Sequence, residues 1–209
     1  MKKFLVLTIA CKLGFMAHAQ FLYKFDHGIL HELSEDRKEE PTEFFQFLSN
    51  SNNYISLAVP ASLFVAGAIR RDPGMKKNAL YITESFLVSS VATLAIKETV
   101  KRQRPFATDT LIIKASDGGS PSFPSGHTSE AFSIATSLSI AYPKWYVIAP
   151  SFLWASSVSF SRLYLGVHYP TDVIAGAVVG SGSAWLAYKA NKWLEQKRSR
   201  HEHKLAYLF

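Results

Sequence analysis

The 209-residue chain has a single cysteine, Cys11, so no disulfide can form within it and stability has to come from packing. Charged residues are scarce at 19%, against 48% hydrophobic ones. The alternation of apolar and polar residues that marks half-buried strands is absent, which leaves helices as the framework. There is no Walker-type glycine loop, no Asp and Glu cluster of magnesium-site character, and no Cys or His cluster spaced for zinc. The sequence therefore calls for no cofactor. The formal net charge of +7 suits an anionic partner. Nucleic acid is disfavoured, because no nucleic-acid module or interleaved aromatic platform occurs.

What is present falls into segments. Residues 1–19 read as a signal peptide: Lys2 and Lys3 lead an apolar stretch, and Ala17-His18-Ala19 makes a small-residue cleavage site before Gln20. Retention as an anchor helix and lipidation at Cys11 are the alternatives. Residues 20–53 form a polar, acidic extension with three basic against seven acidic side chains, read as solvated with amphipathic helical pieces. Uncharged stretches follow at 44–69, 85–96, 131–143, 145–161 and 173–188. They predict five core helices near 54–70, 78–97, 127–142, 145–161 and 171–190, within a helical domain spanning 54–190; residues 191–209 form a basic tail. The fold expected is an all-α, membrane-embedded helical bundle of five core helices, six if the leader is retained.

Several stretches are at or below the ~20 residues that a spanning helix needs. Charge layout supports the membrane reading. Arg70, Arg71, Lys76, Lys77, Lys144 and the basic tail would share one side if every helix crossed, as cytoplasmic segments do. The acidic segment would lie opposite, in the periplasm. Gly176 and Gly180 form a G-x-x-x-G pair suited to close helix packing, inside the bundle or in a dimer. Glu84 and Glu130 lie in apolar helices near their starts and are read as partly hydrated.

Three patterns carry chemistry: Lys97 to Arg104-Pro105 (K-x6-R-P), Pro124-Ser125-Gly126-His127, and Ser161-Arg162-x5-His168-x3-Asp172. The predicted helices place all three at one mouth of the bundle. Lys97, Arg104 and Arg162 supply cations, and an arginine fork matches phosphate oxygens. Ser125-Gly126 runs into a helix start whose free N–H groups favour an anion. A neutral imidazole can attack phosphorus while a protonated one donates to the leaving oxygen. Asp172 can fix the tautomer of His168.

These motifs resemble the type 2 phosphatidic acid phosphatase superfamily, which includes bacterial acid phosphatases and vanadium haloperoxidases; all eleven motif positions are filled in order. The resemblance implies that His168 is the nucleophile, Asp172 its orienting partner and His127 the general acid, with Lys97, Arg104, Ser125, Gly126 and Arg162 cradling phosphate. It implies a phosphatase acting without metal, through phosphohistidine, on a phosphomonoester or diphosphate of a lipid, at the periplasmic face of a bacterial-type inner membrane. A soluble periplasmic acid phosphatase acting on small phosphomonoesters is the alternative; a vanadate-dependent haloperoxidase, or a non-enzymatic bundle that binds lipid head groups, is more remote. Oligomeric state is not indicated. Lys101 and Arg102 read as interfacial basics, with attraction of anionic substrate as a further option for both, and His27, His31, His201 and His203 as solvated.

Overall fold

The computed structural model of the chain describes residues 20–206, and side chains as far as residue 200; the signal-peptide expectation for 1–19 and the readings of His201 and His203 lie outside that range. The described chain is all helical. Helix α1 covers residues 20–35. It is followed by α2 (Glu39–Ile69), α3 (Pro73–Val100), the single turn α4 (Pro105–Thr108), α5 (Gly126–Ala141), α6 (Trp145–Tyr164) and α7 (Pro170–Ala206).

Local chemistry explains the boundaries. Asp72 caps α3, its carboxylate accepting from Met75 N–H at 3.0 Å, and Pro73 stands in the first turn, where its missing N–H costs nothing. Lys101 ends α3 in the left-handed region (φ 50°) and turns the chain towards α4. Gly166, with φ +68°, makes the turn after α6, where a Cβ would stand 2.6 Å from the Ile113 carbonyl oxygen.

The five expected core helices are all present; α2, α3, α6 and α7 are longer than expected, and α5 is displaced by one residue. The main correction concerns residues 20–53. They are not a solvated extension: α1 buries Asp26 and Leu30, and the first half of α2 buries Ser49 and Asn52. Leu30 packs with Ile112 and Tyr169, which ties α1 to the loop after α4 and to the start of α7.

Polarity runs inside out. The buried positions of α3 include Ala79, Ser85, Ser89 and Thr93; those of α5 include Thr128, Ser129, Ala131, Ser133 and Ser137. The exposed positions are instead Leu57, Val65, Ile69, Leu87, Val91, Leu94, Leu153 and Val178. Small interior residues let helices approach, and their hydroxyls find carbonyls: Ser85 donates to Tyr81 O at 2.8 Å and Ser89 to Ser129 O across helices at 3.1 Å. Gly176 and Gly180 face α5 within the bundle, where a Cβ would lie 2.7 Å from Ser125 O and 2.1 Å from Ser129 O respectively. Glu84 and Glu130 each have a partner on another helix: Asn191 donates to Glu84, and Asn52 to Glu130 at 2.7 Å. Glu39–Ile69 and the segment Pro73–Thr108 are long and apolar enough to cross a membrane, with mean hydropathy 1.3 and 1.6.

Candidate active site

The end of α3, the start of α5, the end of α6 and the start of α7 meet at one end of the bundle. Ser125 N–H donates to Asp172 O at 3.0 Å, which joins the starts of α5 and α7. The first intrahelical bond of α5 runs from Ser129 N–H to Ser125 O, so the N–H groups of residues 126–128 precede the ladder and face outward from the helix end. Ser125 does not cap them; its hydroxyl accepts from Thr128 Oγ1 at 3.0 Å.

Three cations converge there, and their hydrogen bonds go to neutral oxygens. Arg104 donates from Nε to Ser120 O and from Nη1 to Val167 O, both at 2.8 Å. Lys97 Nζ donates to Pro121 O, and Arg162 donates to Ser49 Oγ and, at 3.4 Å, to Ser116 Oγ and Asp117 O. All three side chains are buried. Arg104 Nη1 lies 3.3 Å from His168 Nε2, which sets that ring nitrogen beside the guanidinium.

His168 is 2% exposed and Asp172 is fully buried. Nδ1 of His168 faces Asp172 Oδ2 at 3.4 Å, longer than a good hydrogen bond, and has no other partner. A shift of a few tenths of an ångström on ligand binding would close it, as catalytic contacts tighten when a site fills. Burial pushes His168 down to about 3; the contact with Asp172 opposes this, while Arg104 and Arg162 add to it. Burial thus favours the neutral ring, in which Nε2, when Nδ1 carries the proton, holds the electron pair that faces the Arg104 N–H. His127, half-buried in the first turn of α5, lies in the field of Arg162, His168, Arg104 and Lys97. The eight residues singled out from the sequence thus gather at one end of the bundle.

The sequence reading missed what holds Asp172. Its Oδ1 accepts from Arg102 Nη1 at 2.7 Å, and its Oδ2 accepts from Tyr169 N–H at 2.9 Å and from Ser122 Oγ. Arg102 is not an interfacial basic residue. It lies over the Tyr169 ring at 3.8 Å and bridges to Asp26 of α1 at 2.7 Å. Asp26 in turn accepts from Thr171 N–H at 2.9 Å and Thr171 Oγ1 at 2.7 Å. Lys101, by contrast, is exposed as expected. Arg102 stands inside the K-x6-R-P stretch, but nothing in its spacing distinguishes it from Lys101. Its buried acceptor, Asp26, is 76 residues away.

The sequence model of the PAP2 superfamily matches residues 78–196, which is more than half of the chain. The chain belongs to the PAP2 superfamily. It is 38% identical over 86 residues to the lipid A 4'-phosphatase of Bacteroides thetaiotaomicron, covering 41% of this chain and 38% of that protein. It is 33% identical over 147 residues to the undecaprenyl-diphosphatase of Sulfolobus acidocaldarius, covering 68% and 65%. The chain thus spans less than two thirds of the length of either relative. The crystal structure of Aquifex aeolicus LpxE superposes with a TM-score of 0.69 at 25% identity, over 78% of this chain and 94% of that one. A transmembrane PAP2-type phosphatidylglycerolphosphate phosphatase from Bacillus subtilis superposes with a TM-score of 0.70 at 23% identity, over 88% and 95%. With the two long apolar helices, this PAP2 chain is a membrane-associated helical bundle.

Proposed function

We propose that the chain is a phosphatase that hydrolyses the phosphate or diphosphate of a membrane lipid through phosphohistidine on His168, at the periplasmic face of the inner membrane. The observation that carries the reading is His168 Nε2, 3.3 Å from Arg104 and set among three cations that form no direct ion pair with a carboxylate among the described residues. A phosphate dianion is the counter-charge this arrangement lacks.

In the first step the Nε2 electron pair attacks phosphorus and the bond from phosphorus to the leaving oxygen breaks. His127, protonated in the presence of the bound dianion, gives its proton to that oxygen. The positive charge on the His168 ring is met by Asp172, which accepts from Nδ1–H. In the second step the now neutral His127 takes a proton from water as the oxygen attacks phosphorus. The N–P bond breaks, and inorganic phosphate and free His168 are released. Lys97, Arg104, Arg162 and the N–H groups at the start of α5 hold the phosphoryl oxygens throughout.

Two features favour a lipid over a small phosphoester. The outer faces of the helices are apolar, and a groove of about 420 Å³ lined by Phe21, Leu22, Phe25, Ile174 and Ala175 runs beside Thr171, next to the site. The relatives named for lipid A 4'-phosphate and undecaprenyl diphosphate suggest which lipids to try. The basic residues Arg70, Arg71, Lys76, Lys77 and Lys144 support the orientation, since they lie in the loops and first turn at the other end of the helices, as cytoplasmic segments do.

The test is phosphate release by purified protein in detergent, with EDTA, from lipid A, undecaprenyl diphosphate and para-nitrophenyl phosphate. Release from a lipid that is abolished in His168→Ala, with acid-labile label trapped on the wild-type protein, is expected. Equal release by the variant would reject His168 as the nucleophile, and a preference for para-nitrophenyl phosphate would point to the soluble-substrate reading.

A further inference from the structure

Outside the catalytic pocket, α1 and the loop after α4 bring three metal-binding side chains together. His27 Nδ1 lies 3.1 Å and His31 Nε2 2.7 Å from the same atom, Asp109 Oδ2, and the three donor atoms all lie within 4.8 Å of one another. The sequence reading, which took both histidines as solvated and found no zinc-type cluster, is corrected here. Histidines four residues apart share one helix face, but their third partner is 78 residues from His31 and no local spacing reveals it.

We propose that His27, His31 and Asp109 bind a divalent transition-metal ion of the zinc class, clamping α1 to the rim of the active site. The donor set is the one such ions take, two imidazoles and a carboxylate with a fourth position left for water. Ligands ~2.1 Å from a tetrahedral zinc ion stand ~3.4 Å apart, so the measured separations of 3.1 and 2.7 Å need to open by about 0.3 and 0.7 Å. The ligands are held from behind. Asp109 Oδ1 accepts from Leu111 N–H at 3.0 Å, which leaves Oδ2 as the free donor. The His27 ring stacks on Tyr23 at 4.1 Å and lies 5.5 Å from the Tyr169 ring. Such outer contacts fix the orientation of metal ligands. The side chain of His31 is 36% exposed, which gives an ion a path in.

The position gives the ion a consequence. Asp26, next to His27, bonds Thr171 and Arg102, and Arg102 bonds Asp172. An ion that joins α1 to Asp109 would therefore hold the far end of the network that orients the catalytic carboxylate. Binding itself neither requires nor excludes phosphatase chemistry.

The experiment uses the full chain with a non-histidine affinity tag, stripped with chelator and then dialysed. It is titrated with Zn²⁺ by calorimetry and with Co²⁺ by visible absorption. One tight equivalent is expected, with the intense visible bands of four-coordinate Co²⁺. It should be weakened at least about tenfold in His31→Ala and in Asp109→Asn, and kept in the tail variant His201→Ala/His203→Ala. Mg²⁺ should not compete, because imidazole is a poor ligand for it. Asp109→Asn changes no volume, so its loss of binding would not be a folding failure. Absence of saturable binding, survival of the equivalent in both His31→Ala and Asp109→Asn, or its loss with the tail histidines would overturn the proposal.

Discussion

Replacing Arg102 with alanine separates support of the Asp172 carboxylate, in its proposed role, from binding of the substrate. Arg102 is 30% exposed, but the two carboxylates it joins are almost fully buried, Asp26 at 3% and Asp172 at 0% by side chain. Each loses a 2.7 Å charge-assisted bond and keeps others: Asp26 those from Thr171, Asp172 those from Tyr169 N–H and Ser122. One hydrogen bond to a charged group contributes about 2 kcal/mol, so a loss of stability of roughly 2–4 kcal/mol is expected. Turnover should fall about 100-fold, the cost of an orienting group misplaced by about 1 Å, with KM little changed, because Arg102 reaches Asp172 and not the phosphate. Adding Asp26→Asn to Arg102→Ala removes one unpaired buried charge. It should restore much of the melting temperature but none of the turnover, since Asp172 stays unsupported. Thermal melts and steady-state kinetics on the three proteins decide. A raised KM at unchanged kcat would refute the reasoning by showing that Arg102 contacts substrate, and so would recovery of kcat in the double variant.

Gly180→Ala would put a Cβ 2.1 Å from Ser129 O and should cost about 1–3 kcal/mol, whereas at Gly182 nothing lies within 4 Å and alanine should be neutral or slightly stabilising; melting temperatures in detergent test the pair. Burial keeps His168 neutral in the native state down to about 3, while the unfolded chain protonates it near 6.5, so stability is lost as pH falls from about 6.5 towards 3, by at most ~1.4 kcal/mol per unit. Denaturation between pH 7 and pH 5 should show a shallower dependence in His168→Asn. Lys97 bonds one carbonyl, Pro121 O, and its buried charge is repelled by Arg104 and Arg162, which outweighs the attraction of Asp172, so Lys97→Met should leave the free protein as stable as wild type or more so. Phosphate or vanadate, which should raise the melting temperature of the wild type, should then raise it far less.

The three motifs were legible because each is a short stretch whose residue types have one chemical reading together, and the helices that gather them follow from the uncharged runs between them. Residues 20–53 were misread for a physical reason. Their acidic, polar composition is that of a solvated segment, yet Asp26 is buried because Arg102 and Thr171 supply the charge and hydrogen bonds that replace water. Glu84 and Glu130 are half-buried, in keeping with partial hydration, but their partners Asn191 and Asn52 on other helices were not foreseen. Pairings of this kind join residues 70 or more positions apart and leave no periodicity, so only the packed structure discloses them.

The four cations at the mouth of the bundle divide by what they bond. Arg102 is paired with two carboxylates and is electrostatically spent; it holds a side chain in place. Lys97, Arg104 and Arg162 are bonded to carbonyl and hydroxyl oxygens, which satisfy their N–H groups without cancelling their charge. Burying such charges is costly, and pairing each with an acid would be the cheaper way to stabilise the fold. The bundle instead sets Asp172 behind His168, within the field of Lys97 and Arg104 but in an ion pair with neither, and Asp117 likewise acts on Arg162 only at a distance. This charge is fixed before any ligand arrives, so in the proposed reaction no reorganisation would be needed as negative charge builds on the phosphoryl oxygens. The same cost explains why the site sits at the junction of four helix ends: there the loop carbonyls Ser120 O and Val167 O accept from Arg104, Pro121 O from Lys97 and Asp117 O from Arg162, all free of the helical ladder.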